Sequence, residues 1–501
     1  MNRGIYLPGS MAHIDTIFLD HAATTPVHPE VLGLMLPYFG NYFGTPSNPF
    51  GFGDAPREAL DKARFRVAQL IGAQGHEIIF TSSGTEANNL AILGVASARR
   101  GLKNHIITST IEHASVLNTI HHLTGTGLEV TEIGVDAQGV VDPASVQAAI
   151  KDDTILISIM HASNETGSIQ PVREIGHIAK DKGITFHCDC IQSAGRIEVD
   201  VNTLNADLLS ISSHKLYGPK GVGALYVREG TAISPIIFGS DQERGLRPGT
   251  QNIPGIVGFG MACEKARIDL DKNARHIVHL RDMFEKALHE RLPGVRINDK
   301  DALRLPHISS ISFEGVQADA LAAWLDLMGI TVSARTLFYS KRSSHALSAL
   351  HIPPDLASGT IRFSLGWENT VLEIERVVNT VQQTVIRLRE FVGGLDNDES
   401  CIVTFAAGDD LAHALRSLEN EGIPCIVTAR PVEFAHLTGT RTALAIPCSM
   451  QDEAGRLLGS QGISITGMHR IKGLCRLRAE KEEQFWKTLG RIKEGKKPNK
   501  C

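Results

Sequence analysis

Short apolar runs alternate with longer amphipathic stretches over most of the chain. Residues 54–71 carry apolar side chains at helical spacing, and Gly72 follows as a stop signal. Apolar runs typical of buried strands cover residues 77–80, 104–108, 154–160, 184–187 and 206–211. The alternation predicts an α/β fold, in which helices wrap a mostly parallel sheet.

The pattern changes near residue 393. Residues 394–400 are polar and form a predicted linker between a domain at 1–393 and a smaller unit at 401–475. The smaller unit has the order strand, helix, strand, strand, helix, strand, which predicts a ferredoxin-like α+β module. Lys and Arg are frequent in residues 476–501, a predicted solvated basic tail.

Composition narrows the classes of function. The chain has 501 residues, of which 42% are hydrophobic, and its formal net charge is −5. This charge argues against nucleic acid or an anionic membrane as the main partner. No apolar run is long enough for a signal peptide or a membrane span. Eight cysteines without C-x-x-C spacing indicate a reducing, cytoplasmic setting.

Lys215 is the first candidate for chemistry. It follows His214 at the end of an apolar run and precedes a Gly-Pro turn. A lysine at a strand end among hydroxyl residues can lose its proton and form a Schiff base with an aldehyde cofactor. On local sequence alone, a surface lysine before a turn is the alternative.

Two further segments could bind parts of such a cofactor. Residues 81–89 include Gly84 and Thr85 and open a helix directly after a strand, so their N–H and hydroxyl groups could cradle a phosphate. A helix cap without any ligand is the alternative. His113 also follows a strand and could stack on a ring or move a proton, unless it is an ordinary loop histidine.

Asp189 ends another apolar run, between Cys188 and Cys190. A buried carboxylate needs a cationic partner, which a protonated pyridine nitrogen would provide, and a helix-capping aspartate is the alternative. Neighbours of a strand residue face the opposite way, so both cysteines are predicted to be buried packing residues. Cys263 is predicted to lie in the core.

Together these residues are the parts that a site for pyridoxal 5′-phosphate needs. The chain resembles the cysteine desulfurase family of the class V aminotransferase fold, a pyridoxal-phosphate-dependent transferase fold of type I. The resemblance rests on motifs spread over the first domain. They cover residues 19–26, 81–86, 112–113, 164–171, 189–193, 213–221, 242–250 and 361–366.

The resemblance implies a role for each matched residue. Lys215 would carry the Schiff base, Asp189 would hold the pyridine nitrogen and His113 would stack on the ring. Asn164 and Gln192 would contact the ring oxygen, while Gly84, Thr85, Ser212 and His214 would bind the phosphate. Arg362, with Asn164, would bind the substrate carboxylate, as guanidinium geometry suits. Thr250 would reach the phosphate of a neighbouring subunit, so a homodimer is implied.

The chain departs from the family at the catalytic loop. Arg335 stands where the family has a nucleophilic cysteine that takes the substrate sulfur, and a guanidinium cannot attack sulfur. The smaller unit resembles a small domain predicted to carry sulfur or selenium and sometimes found beside desulfurases, and where that domain has a cysteine-glycine pair this chain has Thr438 and Gly439. Cys448, just before a predicted helix cap, is a possible sulfur acceptor, with a partly buried inert cysteine as the alternative, while Cys475 and Cys501 lie near or in the basic tail.

Two classes of function therefore remain open at this stage. The first is a pyridoxal-phosphate enzyme that cleaves the C–S or C–Se bond of cysteine or a related amino acid. It would serve sulfur transfer, including iron–sulfur cluster supply, with a possible acceptor protein, or else act by β-elimination without a persulfide. The second is a catalytically silent scaffold for sulfur-transfer assembly. A scaffold has no physical need for a Schiff-base lysine, which favours the enzyme.

Overall fold

The structure is a computed structural model. It describes residues 16–99, 104–334, 344–394, 400–405, 413–414, 417–418, 425–429, 442–447, 451–461, 463 and 465–471. The chain divides into two compact units. The larger unit comprises Ile17–Ser312 and Thr331–Val378, and the other includes Phe313–Ile330 and the chain from Asn379 onward.

Strands and helices alternate along most of the described chain. The strands are β1 Ile17–Phe18, β2 Ile78–Thr81, β3 His105–Ser109, β4 Glu129–Ile133, β5 Thr154–Met160, β6 Thr185–Asp189, β7 Leu208–Ser212, β8 Gly223–Val227, β9 Val295–Ile297, β10 Ile308–Phe313, β11 Ile330–Thr331, β12 Ser333–Ala334, β13 Thr360–Ser364, β14 Ser400–Phe405, β15 Ile426–Ala429, β16 Thr442–Pro447 and β17 Ile465–Ile471. The helices are α1 Pro29–Met35, α2 Pro37–Gly40, α3 Gly51–Leu70, α4 Gly84–Ala98, α5 Ala114–Thr124, α6 Pro143–Ala148, α7 Val172–Asp181, α8 Ile253–Ile268, α9 Leu270–Arg291, α10 Ala318–Leu327, α11 His345–Ala349, α12 Pro354–Ala357, α13 Val371–Gly394 and α14 Gln451–Ser460.

A seven-stranded sheet forms the centre of the larger unit. Its strand order is β2-β8-β7-β6-β5-β3-β4. The five strands from β7 to β4 run parallel to one another, and β8 is antiparallel to both of its neighbours. The predicted mostly parallel α/β sheet is thereby confirmed. The limits of its five predicted strands differ from the observed ones by two residues at most, and β4 and β8 were not predicted.

Helices cover both faces of this sheet. Successive strand residues point to opposite faces, so neighbours such as Ile106 and Ile107 belong to different apolar clusters. One cluster packs the sheet against α3, α7 and α8, and the other packs it against α4 and α5. Both faces are therefore buried, which explains why the strands are apolar runs rather than alternating ones.

The carboxyl ends of the parallel strands meet at one edge of the sheet. β6 ends at Asp189 and β7 ends at Ser212, and the two strands are paired so that Asp189 lies opposite Ser210. In open parallel sheets this edge is where ligands bind. The predicted Asp189 and Lys215 therefore arrive on neighbouring strands at the same edge.

A smaller four-stranded sheet in the order β12-β13-β10-β9 carries Arg362. On β13, Arg362 is paired with Ser333 of β12 on one side and with Ser310 of β10 on the other. Because β13 is an inner strand, the backbone at Arg362 is held from both sides. The sheet therefore fixes the backbone position from which the Arg362 side chain extends.

The C-terminal strands form a separate antiparallel sheet in the order β15-β16-β14-β17. A βαββαβ module of the ferredoxin-like type has this strand order, in agreement with the sequence prediction. In the same unit, β15 packs against α10. Thr438, Gly439, Cys448, Cys475 and Cys501 lie outside the described residues.

No helix in the described part of the chain is long and apolar enough to cross a membrane.

Candidate active site

Lys215 lies in a single 3-10 turn, Ser213–Lys215, that follows β7 directly. Its side chain is half-buried and reaches the segment that follows β1. The Nζ atom donates to the carbonyl oxygens of Ala22 and Ala23, at 2.7 Å each. The lysine is therefore held at the carboxyl edge of the sheet rather than extended into solvent as a surface lysine would be.

Asp189 lies close to this lysine and is buried. Its Oδ1 accepts from the backbone N–H of Ile191 at 2.9 Å, and its Oδ2 accepts from Asn88 Nδ2 at 2.7 Å. Burial raises the pKa of the Asp189 carboxyl, while these two hydrogen bonds and the charge of Lys215 oppose the rise. A nearby cation would stabilise the charged form, as the sequence argument requires.

His113 caps helix α5 and is connected to Asp189 by a chain of hydrogen bonds. Its Nδ1 accepts from the backbone N–H of Ser115 at 3.1 Å and lies 2.8 Å from Ser115 Oγ. Asn88 Nδ2 donates both to that Oγ, at 2.9 Å, and to Asp189. Because Ser115 N donates to Nδ1, the ring carries its proton on Nε2. The ring position and the carboxylate are thus set by the same amide.

The predicted phosphate cradle lies at the start of helix α4. Ser83 caps the helix by accepting from the backbone N–H of Glu86 at 3.1 Å, and Thr85 is exposed in the first turn. A Cβ added at Gly84 would lie 2.3 Å from Ile191 Cδ1 and 3.2 Å from Ser212 Cβ. The absence of a side chain at Gly84 therefore lets the helix start approach the end of β7 closely.

Polar atoms without partners surround this cradle. In the part of the chain that the structure describes, Ser212 Oγ and Asn88 Oδ1 are buried and have no hydrogen-bond partner. Burial, with the charges of Lys215 and Lys220, lowers the pKa of His214 to about 4, so its ring is neutral at pH 7. These hydroxyl, amide and imidazole groups can pair with a phosphate and a polar ring, so the residues present fit pyridoxal 5′-phosphate.

Arg362 is buried and paired. Its Nη2 donates to Asp20 Oδ1 at 2.7 Å, and its Nη1 donates to the backbone oxygen of Asn164 at 2.7 Å. Two partners in different directions fix the plane of the guanidinium. Asp20 belongs to a motif quoted above, but the sequence gave no reason to pair it with a residue 342 positions away.

Gln192 and Thr250 occupy different surroundings. Gln192 is buried, and its Nε2 donates at 2.9 Å to the oxygen of Ala22, the same atom that accepts from Lys215. Thr250 is exposed on this chain and follows the 3-10 turn Gln242–Gly245, which contains Glu243. Arg64 holds Glu243 with two contacts of 2.7 Å.

Glu112 is a site residue whose role sequence reasoning missed. It is fully buried, and its Oε1 accepts from Ser109 Oγ at 2.7 Å and from the backbone N–H of Met160 at 2.9 Å. Burial raises the pKa of Glu112 to about 8, so the carboxyl is protonated at neutral pH. Its backbone oxygen accepts from His345 Nε2 at 2.8 Å. Only its position before His113 could have drawn attention to it.

The predicted catalytic loop is described only at its ends. Arg335 lies outside the described residues. Beyond the gap, Ser344 donates to the buried carboxylate of Glu165, next to Asn164. Together with the contact of His345, this places the start of α11 against the segments that carry His113 and Asn164.

The fold and the arrangement of Lys215, Asp189 and Arg362 define a pyridoxal-phosphate-dependent enzyme of fold type I. Residues 17–377 match the sequence model of the aminotransferase class-V family, and the chain belongs to that family. Its cofactor is pyridoxal 5′-phosphate.

The chain is also similar to individual proteins of known identity. It is 45% identical over 375 residues to the cysteine desulfurase IscS of Dictyoglomus turgidum, covering 74% of this chain and 95% of that protein. It is 44% identical over 375 residues to the cysteine desulfurase IscS of Methanosarcina thermophila, covering 74% and 93%. Among solved structures, a NifS-like protein aligns with a TM-score of 0.71 at 37% identity, over 74% of this chain and 99% of that one. The predicted family and cofactor are confirmed.

Proposed function

We propose that this protein cleaves the C–S or C–Se bond of cysteine or a related amino acid and passes the released sulfur or selenium to an acceptor. The observation that carries the proposal is the meeting of Lys215 and Asp189 at one sheet edge, where Arg362 supplies a fixed guanidinium. The cysteine desulfurases among the relatives support the same reaction class.

The chain's own residues suggest how the cofactor would be held. Asp189 would pair with the pyridine nitrogen, and His113 would lie against the ring. Ser212, His214 and the start of helix α4 would bind the phosphate, because a helix start offers free N–H groups to an anion. When bound, pyridoxal 5′-phosphate supplies an electron sink for the bonds at the substrate's α-carbon.

Lys215 is the group that would hold and move the proton at this carbon. The carbonyl oxygens of Ala22 and Ala23 stabilise its ammonium form and keep Nζ at one position. A positioned amine can act as general base and then as general acid at the same atom. Gln192 shares the Ala22 oxygen, so the segment after β1 orients two site residues at once.

Arg362 would bind the carboxylate of the amino acid. Its guanidinium is already oriented by Asp20 and by the Asn164 carbonyl, so little conformational entropy remains to be lost when the substrate binds. Asp20 partly neutralises the positive charge of the Arg362 guanidinium, which leaves a site for a single carboxylate. We therefore expect an amino-acid substrate rather than a dicarboxylate.

Arg335 decides which products form. With no thiol at that position, we propose that the sulfur is taken by a thiol outside the loop, on an acceptor protein or on the C-terminal unit. Transfer converts cysteine and an acceptor thiol into alanine and an acceptor persulfide. Elimination would instead convert cysteine and water into pyruvate, ammonia and sulfide.

The proposed assembly is a homodimer. Exposed aromatic side chains are concentrated around α2 and the start of α3: Phe39, Tyr42, Phe43, Phe50 and Phe52. An apolar group of this kind is typical of a surface that another chain covers. The exposed Thr250 would then be available to the partner's phosphate site.

Spectroscopy and product analysis test the proposal. The purified protein should show an absorption band of the lysine-bound cofactor that Lys215→Ala abolishes and that the exposed control Lys220→Ala retains. With L-cysteine and a thiol acceptor, alanine and the acceptor persulfide should form, and excess thiol then reduces the persulfide to sulfide and is itself oxidised to a disulfide. The absence of a band would refute the cofactor site, and a band without amino-acid turnover would indicate a silent scaffold. Pyruvate in place of alanine would establish elimination.

The loop assignment has its own test. Arg335→Cys should produce a persulfide on that cysteine in the presence of L-cysteine, detected by mass spectrometry of the loop peptide. An unchanged peptide mass, in a variant that keeps the absorption band, would show that residue 335 does not face the substrate sulfur.

A further inference from the structure

Two cysteines flank the carboxylate that would hold the pyridine nitrogen. Cys188 and Cys190 lie on either side of Asp189, and their sulfur atoms are 3.6 Å apart. Because side chains alternate along a strand, both thiols share the face opposite Asp189. There they pack in the apolar cluster under the sheet, as predicted. Packing alone does not require two sulfur atoms in contact.

A histidine completes the group. His161 Nδ1 lies 3.7 Å from Cys190 Sγ. The backbone N–H of His161 donates to the backbone carbonyl oxygen of Asp189 at 2.9 Å. Burial acts to raise the pKa of Cys190, but the contacts with Cys188 and His161 outweigh it and lower this pKa to about 6. The pKa of Cys188 is raised by burial and by its charged neighbours. The contacts of Cys190 therefore favour its ionisation over that of Cys188, and oxidation of a thiol pair begins at the sulfur that ionises more readily.

We propose that Cys188 and Cys190 form a thiol oxidation site whose co-substrate is a hydroperoxide, and that the resulting disulfide displaces Asp189 and weakens cofactor binding. The formation of the disulfide is independent of the function proposed above, whereas its effect on the cofactor rests on that function.

The chemistry balances with hydrogen peroxide as the oxidant. The Cys190 thiol gives up its proton and its sulfur attacks one peroxide oxygen, the O–O bond breaks to leave a sulfenic acid, and the departing hydroxide takes up that proton as water. The Cys188 thiol then attacks the sulfenic sulfur, the S–S bond forms and a second water leaves. In total, two thiols lose two electrons and two protons, and one peroxide is reduced to two waters. Both sulfurs are buried, so oxidation is slow and depends on small openings of the chain after residue 189.

Geometry explains why the bond would move Asp189. Two residues along a strand separate Cα atoms by about 6.6 Å. Disulfides span Cα distances of about 4.4 to 6.8 Å, most often near 5.5 to 6 Å, with an S–S bond of about 2.05 Å. The sulfur atoms are 3.6 Å apart and must approach further to form a bond. This approach brings the Cα atoms of Cys188 and Cys190 closer together and so bends the backbone at Asp189.

Three hydrogen bonds lie in the path of that movement. The backbone N–H of Cys190 donates to the backbone oxygen of Ser210 at 3.0 Å, and the backbone N–H of His161 donates to the backbone oxygen of Asp189. Ile191 N, directly after Cys190, donates to Asp189 Oδ1 at 2.9 Å. A shift of Cys190 towards Cys188 strains the first and the last of these. The carboxylate then loses the N–H that holds it towards the cofactor side.

The test uses the cofactor-loaded protein treated with hydrogen peroxide. After unfolding and alkylation, mass spectrometry should show two thiols fewer than before treatment, and a peptide that contains both cysteines should have lost two hydrogens. Cofactor affinity should fall about tenfold to a hundredfold and return on reduction with dithiothreitol. Cys188→Ser and Cys190→Ser should each prevent the disulfide, while Cys263→Ser, an equally buried control on α8, should leave it intact.

Each readout can overturn one part of the proposal. Full alkylation of both cysteines after peroxide treatment would refute the oxidation site. A disulfide that forms without any change in cofactor affinity would refute the coupling to Asp189. Absence of the cofactor band before any treatment would refute the proposed function, and the mass measurement would still decide whether the disulfide forms.

Discussion

Asn88 donates one hydrogen bond to Asp189 Oδ2 at 2.7 Å and another to Ser115 Oγ at 2.9 Å, so one buried amide links the carboxylate to the hydroxyl beside His113. The residue had been quoted only as part of a helix start. It orients both groups between which the cofactor ring would lie.

Asn88→Ala should weaken cofactor binding. The substitution removes a hydrogen bond to a charged group and leaves Asp189 with one donor fewer, which corresponds to about 1.5–3 kcal/mol. We expect the dissociation constant of the cofactor to rise about tenfold to a hundredfold, measured by titration of the absorption band. The exposed Asn104→Ala is the control, and an unchanged constant in Asn88→Ala would contradict the role of the amide.

Two substitutions at Asp20 should separate charge from positioning. Asp20→Asn keeps an oxygen for Arg362 Nη2, so KM for L-cysteine should stay within about threefold of the wild-type value. Asp20→Ala removes the contact, frees the guanidinium plane and should raise KM about tenfold. Steady-state kinetics checks both, with the exposed Asp54→Asn as control. Equal KM values for the two Asp20 variants would show that Asp20 does not position Arg362.

Gly84→Ala should disturb the phosphate cradle, since its new methyl group would lie 2.3 Å from Ile191 Cδ1. We expect a loss of stability of about 1–3 kcal/mol and weaker cofactor binding. Ile191→Val removes Cδ1 but keeps Cγ1, which would lie 2.9 Å from the added Cβ, so the double variant should recover part of both. Gly75→Ala is the control, because nothing lies within 4 Å of its added Cβ. A double variant no better than Gly84→Ala would point to a direct clash with the cofactor instead.

Glu112→Gln should change how stability depends on pH. The folded protein keeps the Glu112 proton up to a pKa of about 8, whereas the unfolded chain releases it near the usual 4.5. The folded state binds more protons than the unfolded chain between these two pH values. The stability that comes from the protonated Glu112 is therefore fully present below pH 4.5 and is lost as pH rises through 8. The loss reaches roughly 5 kcal/mol.

Glutamine does not titrate, so the variant should match the wild type near pH 5 and exceed its unfolding free energy by several kcal/mol near pH 8. Urea unfolding at both pH values measures the difference, and the exposed Glu58→Gln should show none. A constant difference across the range would mean that Glu112 is not protonated in the folded state.

The sequence was sufficient for five of the seven strands of the main sheet because their signals are local, whereas β4 and β8 were not predicted. Buried parallel strands are apolar runs that end in small polar residues, so the sequence alone places Asp189 and Lys215 at strand ends. The succession of the C-terminal strands along the chain also followed from local patterns. The domain limits at 393 and 400 stay predictions, as do the roles of all the site residues, Thr250 and Arg335 included.

Contacts between distant residues could not be predicted in this way. Asp20 and Arg362 come from opposite ends of the larger unit, and no local pattern links them. The same is true of Ser344 and Glu165, and of the carbonyl groups that hold Lys215. Every residue type carries a backbone oxygen, so the type of residue does not show which oxygens make contacts. Only the folded chain shows that Ala22 takes part in the site.

The pairing of Asp20 with Arg362 also has a consequence for biosynthesis. The first partner leaves the ribosome among the earliest residues, but the second follows only after most of the chain has been made. The sheet around Asp189 can form on the growing chain, since domains fold as synthesis proceeds. The pair of Asp20 and Arg362 cannot, so a nascent chain that stops short of β13 would already contain Lys215 and yet lack the arginine that we propose binds the substrate carboxylate.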